Sequence, residues 1–321
     1  MFNIAVLAYD NCLQSGIAGM LDLFTLANWE QKRLSPGARF CHTEVVTLDG
    51  EPVKSFNRQL VTANCSVADC HDIDLLIVPG VMGRPDHLLE QTELVKWIGQ
   101  QHHQGTVVAS ACSGAFLLAE AGILQGRQAT THWQLGERFR QRFPKVNLQI
   151  DQLIIDGVDY LCAGGTGAHI DLALHLIEKY GTKSLAKTCA RMMLLDGRRR
   201  DQSPFIKFKG SREHIDDPIH KVQQWLDRYY REKISVRAMA KRSGLNELTF
   251  LRRFRKATGE APLEYLQKMR LEKAKQLLLG SNQTLEEITT AVGYVDLSSF
   301  RRLFQQIVGM SPTTYRQRFG G

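Results

Sequence analysis

A single cysteine stands among small residues in Ser110-Ala111-Cys112-Ser113-Gly114-Ala115. An apolar run of strand length, Thr106–Ala111, leads into it, and a helix-forming run, Ala115–Ala121, leads away. A side chain on so sharp a strand-to-helix turn is held out at the end of the sheet, as at a nucleophile elbow. The start of a helix also favours a thiolate, so the chemistry to expect is nucleophilic or redox. His132, twenty positions further on, is a candidate base for such a thiolate, and His169 with Asp171 is a second candidate pair. Gly80 and Val81, just past the apolar run Leu75–Val78, join Cys112, Ser113, His132 and Trp133 as candidate lining of a ligand pocket. Helix N-terminal amides there suit an anion or carboxylate. Trp133 either stacks on a cationic headgroup or packs in the core.

A second kind of chemistry lies near the C-terminus, where Phe250, Phe254, Gly259, Pro262 and Tyr265 recur as Phe300, Phe304, Gly309, Pro312 and Tyr315, all offset by 50 positions. Asn246 and Asp296, both good N-cap residues, share the offset. Phenylalanines four apart lie on one helical face, so the residues between them point outward. Those are Leu248, Thr249, Leu251, Arg252, Arg255 and Lys256 on the first helix, and Leu297, Ser298, Arg301 and Arg302 on the second. Basic side chains so placed suit phosphates and base edges of double-stranded DNA. Leu248 and Leu251 are exceptions, because polar readers are more usual there. Each unit has a short helix upstream, Val236–Arg242 before Ser243-Gly244 and Leu285–Val292 before Gly293-Tyr294; Thr284 with Glu287 forms a capping box. Helix, glycine turn and basic helix make a helix-turn-helix, here written twice. Between the units Leu263–Leu279 reads as one helix, begun by Pro262 and stopped at Gly280-Ser281.

The elements that must position Cys112 read as a doubly wound α/β domain. Asn3–Ala8, Leu75–Val78 and Thr106–Ala111 are continuous apolar runs, as in parallel strands covered on both faces. Helical stretches at Ala18–Trp29, Glu93–His103, Ala115–Ala121, Leu135–Phe143 and Ile170–Tyr180 alternate with them, and such sheets bind ligands at the carboxyl ends of their strands. Residues 196–219, with Arg198, Arg199 and Arg200, lack a sustained period and read as a linker. His220–Tyr230 then opens the last domain as a helix with Val222, Trp225, Leu226 and Tyr229 on one side. The boundaries expected are thus 1–195, 196–219 and 220–321. Residues 1–195 carry 16 lysines and arginines against 19 acids, a net of −3, whereas the rest carry 25 against 14, a net of +11. Only the back half is suited to a polyanion.

The 321 residues suffice for two cores. Apolar content of 43% and charged content of 23% are those of a soluble globular chain. No apolar run is long enough for a membrane span and no signal-peptide layout precedes the first strand, so a cytoplasmic location is expected. The seven cysteines are scattered, with no spacing that suggests zinc and no glycine-rich phosphate loop. Cys65, Cys70, Cys162 and Cys189 read as small buried hydrophobes, and His102 and His103 as surface residues at a helix end. No metal or cofactor is expected.

Two resemblances rest on these residues. The stretch from about 220 to 319 resembles the AraC-type DNA-binding domain. Its signature is Ala257-Thr258-Gly259-Glu260-Ala261-Pro262-Leu263-Glu264-Tyr265, then Arg270-Leu271, Ala274, Gly293-Tyr294 and Phe300, ending Gly309-Met310-Ser311-Pro312-Thr313-Thr314-Tyr315-Arg316. Residues 3–195 resemble the class I glutamine-amidotransferase-like fold, nearest its flavodoxin-like PfpI/ThiJ branch, in Cys112–Trp133, Ala163-Gly164-Gly165-Thr166 and Asp171-Leu172-Ala173-Leu174. Enzymes of that branch pair the cysteine with a histidine and an acid; the family pattern places Gly16 where the acid would stand, and without an acid the base is poorly oriented. The resemblance therefore implies a non-catalytic pocket, Gly16 included, that senses a nitrogenous small molecule such as an amino acid or quaternary amine. It also implies a homodimer and a transcription activator that works with RNA polymerase. The rival readings are turnover at Cys112, or redox sensing through its sulfenic acid.

Overall fold

The computed structural model describes residues 2–83, 85–195, 201–212 and 214–320. It divides into two compact units, Met1–Gln202 and Ser203–Gly321. The first is built on a seven-stranded sheet of β1 (Phe2–Leu7), β2 (Cys41–Thr47), β3 (Cys65–Ser66), β4 (Leu75–Val78), β5 (Val107–Ala111), β6 (Ile154–Asp156) and β7 (Tyr160–Ala163). Their spatial order is β6-β7-β5-β4-β1-β2-β3, and every pairing is parallel except β6 on β7. Chain order reverses between β1 and β4: the chain leaves β1 toward β2 on one side and β4 toward β5 on the other. At such a reversal the crossovers diverge and leave a crevice beyond the strand ends. β1, β4, β5 and β7 are almost wholly buried in their central residues, and the first three are legible for that reason as unbroken apolar runs. Helices α1 (Gln14–Leu34), α4 (Ala168–Tyr180) and α5 (Lys183–Met192) pack together, and α2 (Thr92–His103) packs on α3 (Ala115–Glu120).

The second unit is all helical: α6 (Asp217–Tyr229), α7 (Val236–Ser243), α8 (Glu247–Thr258), α9 (Pro262–Gly280), α10 (Leu285–Ala291), α11 (Leu297–Val308) and α12 (Pro312–Phe319). It holds two small cores of the same design. In one, Phe250, Phe254 and Tyr265 gather with Val222, Leu226 and Met239; in the other, Phe300, Phe304 and Tyr315 gather with Leu271, Ile288 and Val292. Tyr265 meets Phe254 edge-on at 5.3 Å and Tyr315 meets Phe304 edge-on at 5.7 Å, a favoured arrangement of ring quadrupoles. α9 supplies residues to both cores, its 19 residues making a rod of about 28 Å. At the C-terminal end of α6 it is the capping Tyr230 that completes the buried face, whereas the expected Tyr229 is 43% exposed and Trp225 only partly buried.

The stretch expected to link the units is shared between them. Gln202 belongs to the first, Phe208 packs on the core of the second, and Asp216 caps α6 through its side chain. Arg198, Arg199 and Arg200 lie outside the described residues. Arg270 ties the two small cores together, donating to the carbonyls of Tyr230 and Glu232 and lying 5.3 Å over the Tyr294 ring. Gly293 sits beside this contact with φ +88°, and a Cβ there would come within 2.5 Å of the Arg231 carbonyl oxygen. Gly293→Ala should therefore destabilise the helical unit by about 1–3 kcal/mol or more, read as a lower midpoint in thermal unfolding of that unit; an unchanged midpoint would mean that the close approach is not rigid.

Candidate functional site

Tyr9, Gly80 and Cys112 come after β1, β4 and β5 at the point where the chain order reverses. Cys112 has φ +56°, a left-handed conformation that costs energy for a residue with a Cβ and persists only where its surroundings enforce it. The enforcement is steric. A Cβ at Gly114 would lie 2.4 Å from the Val78 carbonyl oxygen, and one at Gly80 would lie 2.8 Å from Cys112 Cβ. No side chain can enter at either place. Ser113 locks the turn to the neighbouring loop: its Oγ accepts from Val81 N at 2.8 Å and donates to Val81 O at 3.0 Å. Thr131 Oγ1 donates to the Cys112 carbonyl at 2.7 Å.

The cleft over this turn is lined by Leu13, Gly16, Gly80, Val81, Met82, Ala111, Cys112, Thr166 and His169. The structure thus brings together Gly16, Gly80, Val81 and Cys112 as expected, and turns Ser113 to a holding role behind them. His132 and Trp133 are not among the lining residues. Their rings stack on each other at 5.7 Å, and His132 Nδ1 accepts from Gln134 N. Burial pushes the His132 pKa down, toward the neutral imidazole. The histidine at the cleft is His169, on the first turn of α4, with Nδ1 hydrogen-bonded to the Thr166 carbonyl at 3.0 Å. The glycine-rich stretch Gly164-Gly165-Thr166 at the end of β7 is the signal for this wall, since it brings the chain to the same sheet end as Cys112.

The thiolate expected at Cys112 is not supported. Burial pushes its pKa up, against the opposing hydrogen bonds of Ser113 and Thr166, so the helix start is outweighed by desolvation. Among the described residues the lining contains no carboxylate. Its open space is about 10 Å³, roughly one water molecule. Met82, 41% exposed, is the lining side chain with the most freedom to move. Behind the cleft, the buried side chain of Gln202 reaches in: its Nε2 donates to Thr131 O at 2.9 Å, Thr130 Oγ1 at 3.2 Å and Gln152 O at 3.3 Å. Its Oε1 is buried and, among the described residues, has no hydrogen-bond partner.

The other candidate surface is formed by α8 and α11. Asn246 accepts from Thr249 N at 2.9 Å and Asp296 from Ser299 N at 2.7 Å, so both helices start on a side-chain cap. Both end on a left-handed glycine, Gly259 and Gly309. Leu248, Arg252, Arg255 and Lys256 are exposed on α8, and Ser298, Arg301 and Arg302 on α11. Thr249, Leu251 and Leu297 are half-buried, and Leu297 packs on the second small core, which removes it from the outer face. The ion pairs described within this unit join Arg212 to Asp227, Arg253 to Asp216, Lys268 to Glu260 and Glu264, and Lys275 to Glu272. None of them uses the outward arginines. Arg253, facing inward, instead fastens α8 to the start of α6 with two contacts of 2.8 Å.

The sequence matches known families in both units. The profile of the DJ-1/PfpI family covers residues 31–179 and that of a helix-turn-helix domain covers residues 239–318. The chain is a helix-turn-helix regulator of transcription with a DJ-1/PfpI domain in front of its DNA-binding domain. Its C-terminal domain is of the AraC type, preceded by the flavodoxin-like α/β fold. The HTH-type transcriptional regulator GbdR of Pseudomonas aeruginosa is 24% identical over 98% of this chain and 84% of its own length. CdhR of the same species is 27% identical over 85% of this chain and 80% of its own. The isonitrile hydratase of Pseudomonas putida is 32% identical over 42% of this chain and 58% of its own. Among solved structures, an AraC family transcriptional regulator from Pseudomonas putida superposes with TM-score 0.53 at 20% identity, over 60% of this chain and all of that one. Drosophila melanogaster DJ-1beta superposes with 0.52 at 17%, over 61% and 98%.

The outward arginines and the buried thiols each lead to a measurable expectation. Arg252→Ala and Arg302→Ala should each cost about 1–3 kcal/mol of binding to a cognate duplex and relax its sequence preference, while Arg255→Ala or Lys256→Ala should weaken cognate and scrambled duplexes alike. Equilibrium binding to both duplexes separates the groups, and identical profiles would contradict the assignment. For the thiols, burial holds Cys41 and Cys162 up at about 12 and about 11, against an ordinary 9.0. The folded state keeps protons that the unfolded chain gives up, so these groups stabilise below about pH 9 and the contribution falls as pH rises toward 11–12. Denaturant titrations of the first unit across pH 8–11 should show that decline, and removing either thiol by Cys→Ala should flatten it.

Proposed function

We propose that the DJ-1/PfpI unit binds a small nitrogenous metabolite in the Cys112 cleft and that this binding controls how the double helix-turn-helix engages a promoter site. The observation that carries the DNA-binding half is the repeated pair of capped helices, whose outward arginines Arg252 and Arg302 stand 50 positions apart and outside the ion pairs described within the unit. The sensing half rests on the cleft at the chain reversal, where open α/β sheets take ligands. A cleft of roughly one water's volume must widen to admit an effector, and Met82 is positioned to yield.

On this reading the protein works as a homodimer in the cytoplasm, activates transcription through RNA polymerase, and turns over no substrate. Three features argue against catalysis at Cys112: a thiol held protonated by burial, Gly16 in place of an acid, and a lining without a carboxylate. The enzymatic reading has its own support in the similarity to isonitrile hydratase, and the same experiment distinguishes them. In a promoter reporter titrated with candidate metabolites, Cys112→Ser should shift the response only moderately, because size and a polar atom are retained. Cys112→Trp should abolish the response while operator binding persists. Complete loss of response in the serine variant, with a product detectable from the wild type, would establish catalysis instead.

Gln202 is the residue through which the cleft reaches the end of its unit. It holds Thr131, which holds the Cys112 carbonyl. Gln202→Leu should therefore leave both effector binding, read by thermal shift, and DNA affinity without effector near wild type, while reducing the effect of one on the other. A variant that responds normally would exclude this route.

A further inference from the structure

Away from the Cys112 cleft, at the β3 edge of the sheet, three chemically matched side chains converge. One oxygen of Glu44 and the sulfurs of Cys65 and Cys70 all lie within 4.8 Å of one another. Glu44 comes from β2 and Cys65 from β3, which pairs with it two residues further along. Cys70 is returned to the site by a tight turn. Its N donates to Ser66 O at 3.1 Å, and Ser66 Oγ bonds Asp69 Oδ2 at 2.6 Å. The two cysteines expected from sequence to be separate buried hydrophobes are thus a prearranged dithiol beside a carboxylate.

We propose that Glu44, Cys65 and Cys70 form a binding site for a zinc ion. Two thiolates and a carboxylate match the donors that a borderline-soft divalent cation selects. With bonds of about 2.3 Å to sulfur and 2.0–2.2 Å to oxygen at tetrahedral angles, neighbouring S and O ligands stand roughly 3.5 Å apart. Cys65 Sγ stands 3.7 Å from Glu44 Oε2. The other carboxylate oxygen, Oε1, is 3.2 Å from His42 Nε2, so that the carboxylate is oriented from outside as ligating carboxylates commonly are. A solvent-accessible cleft of about 180 Å³, lined by His42, Glu44, Cys70 and His71 among others, gives the ion an entry path and leaves a fourth position for water. Without an ion, burial and the neighbouring carboxylate push both thiols up, Cys70 to about 12. Binding would release the two thiol protons to solvent. Nothing at this site overlaps the lining of the Cys112 cleft.

The test uses the full chain, reduced, stripped with a chelator and titrated with zinc(II) alone, with cobalt(II) as the spectroscopic substitute. The expected result is one equivalent bound per chain and a thiolate-to-cobalt charge-transfer band. Cys65→Ser, at a partly exposed position where the fold should survive, should remove both; far-ultraviolet circular dichroism checks the fold. Glu44→Gln should weaken binding while keeping the band, and His42→Ala should weaken it about 10–100-fold. Cys112→Ser should bind as the wild type does. A missing band, binding that survives Cys65→Ser, binding only at millimolar zinc, or loss in Cys112→Ser would each overturn the assignment.

Discussion

Just past the ends of β4 and β5, at Gly80 and Gly114, there is no room for a side chain. The Val78 and Pro79 carbonyls occupy the space above Gly114, and Cys112 occupies the space above Gly80. This exclusion accompanies the left-handed turn at Cys112 and the two-way hydrogen bond of Ser113 to Val81. The same crowding that makes an elbow also dries it. A helix start offers a partial positive charge worth at most about 1–2 kcal/mol at such a site, and here desolvation outweighs it. An elbow is therefore a geometry that can serve chemistry or recognition, and the groups around it decide which.

The helical unit solves a different problem, that of presenting two similar helices from one chain. Each rests on its own miniature core of two phenylalanines and a tyrosine, and α9 belongs to both. The outer faces, by contrast, are not copies. Where α8 has Arg255 and Lys256, α11 has Gln305 and Gln306, and Leu248 on α8 corresponds to Ser298 on α11. Alike inside and divergent outside, the two helices would, on the proposed reading, meet different stretches of a duplex, with the stronger general electrostatic pull on the side of α8.

The helical unit is the more legible in sequence because its signals are local. Asn246, Asp296, Thr284, Gly259, Gly309, Pro262 and Pro312 act within one turn of themselves, and each performs the cap or stop that its type implies. In the α/β unit the central strands are equally plain, but β2 carries His42, Thr43 and Glu44 at its exposed end and lacks the unbroken apolar run of a covered strand. The cleft is half legible. Cys112 announces itself through its neighbours, whereas the choice between His132 and His169 depends on which later segment the topology folds back to that sheet end. Cys65, Cys70 and Glu44 show the same limit: a residue supplied by a neighbouring strand leaves no spacing to find.

Gln202 closes the first unit with an amide whose two hydrogens are taken by three acceptors and whose buried oxygen has no partner among the described residues. Its place in the chain is therefore fixed to the first unit, while everything from Ser203 onward belongs to the other compact unit. For protein engineering this defines a suture. A chimera that keeps Gln202 keeps its bonds to Thr130, Thr131 and Gln152, and one cut a few residues earlier loses them. Moving the first unit onto another partner thus calls for a junction after Gln202 and not before it.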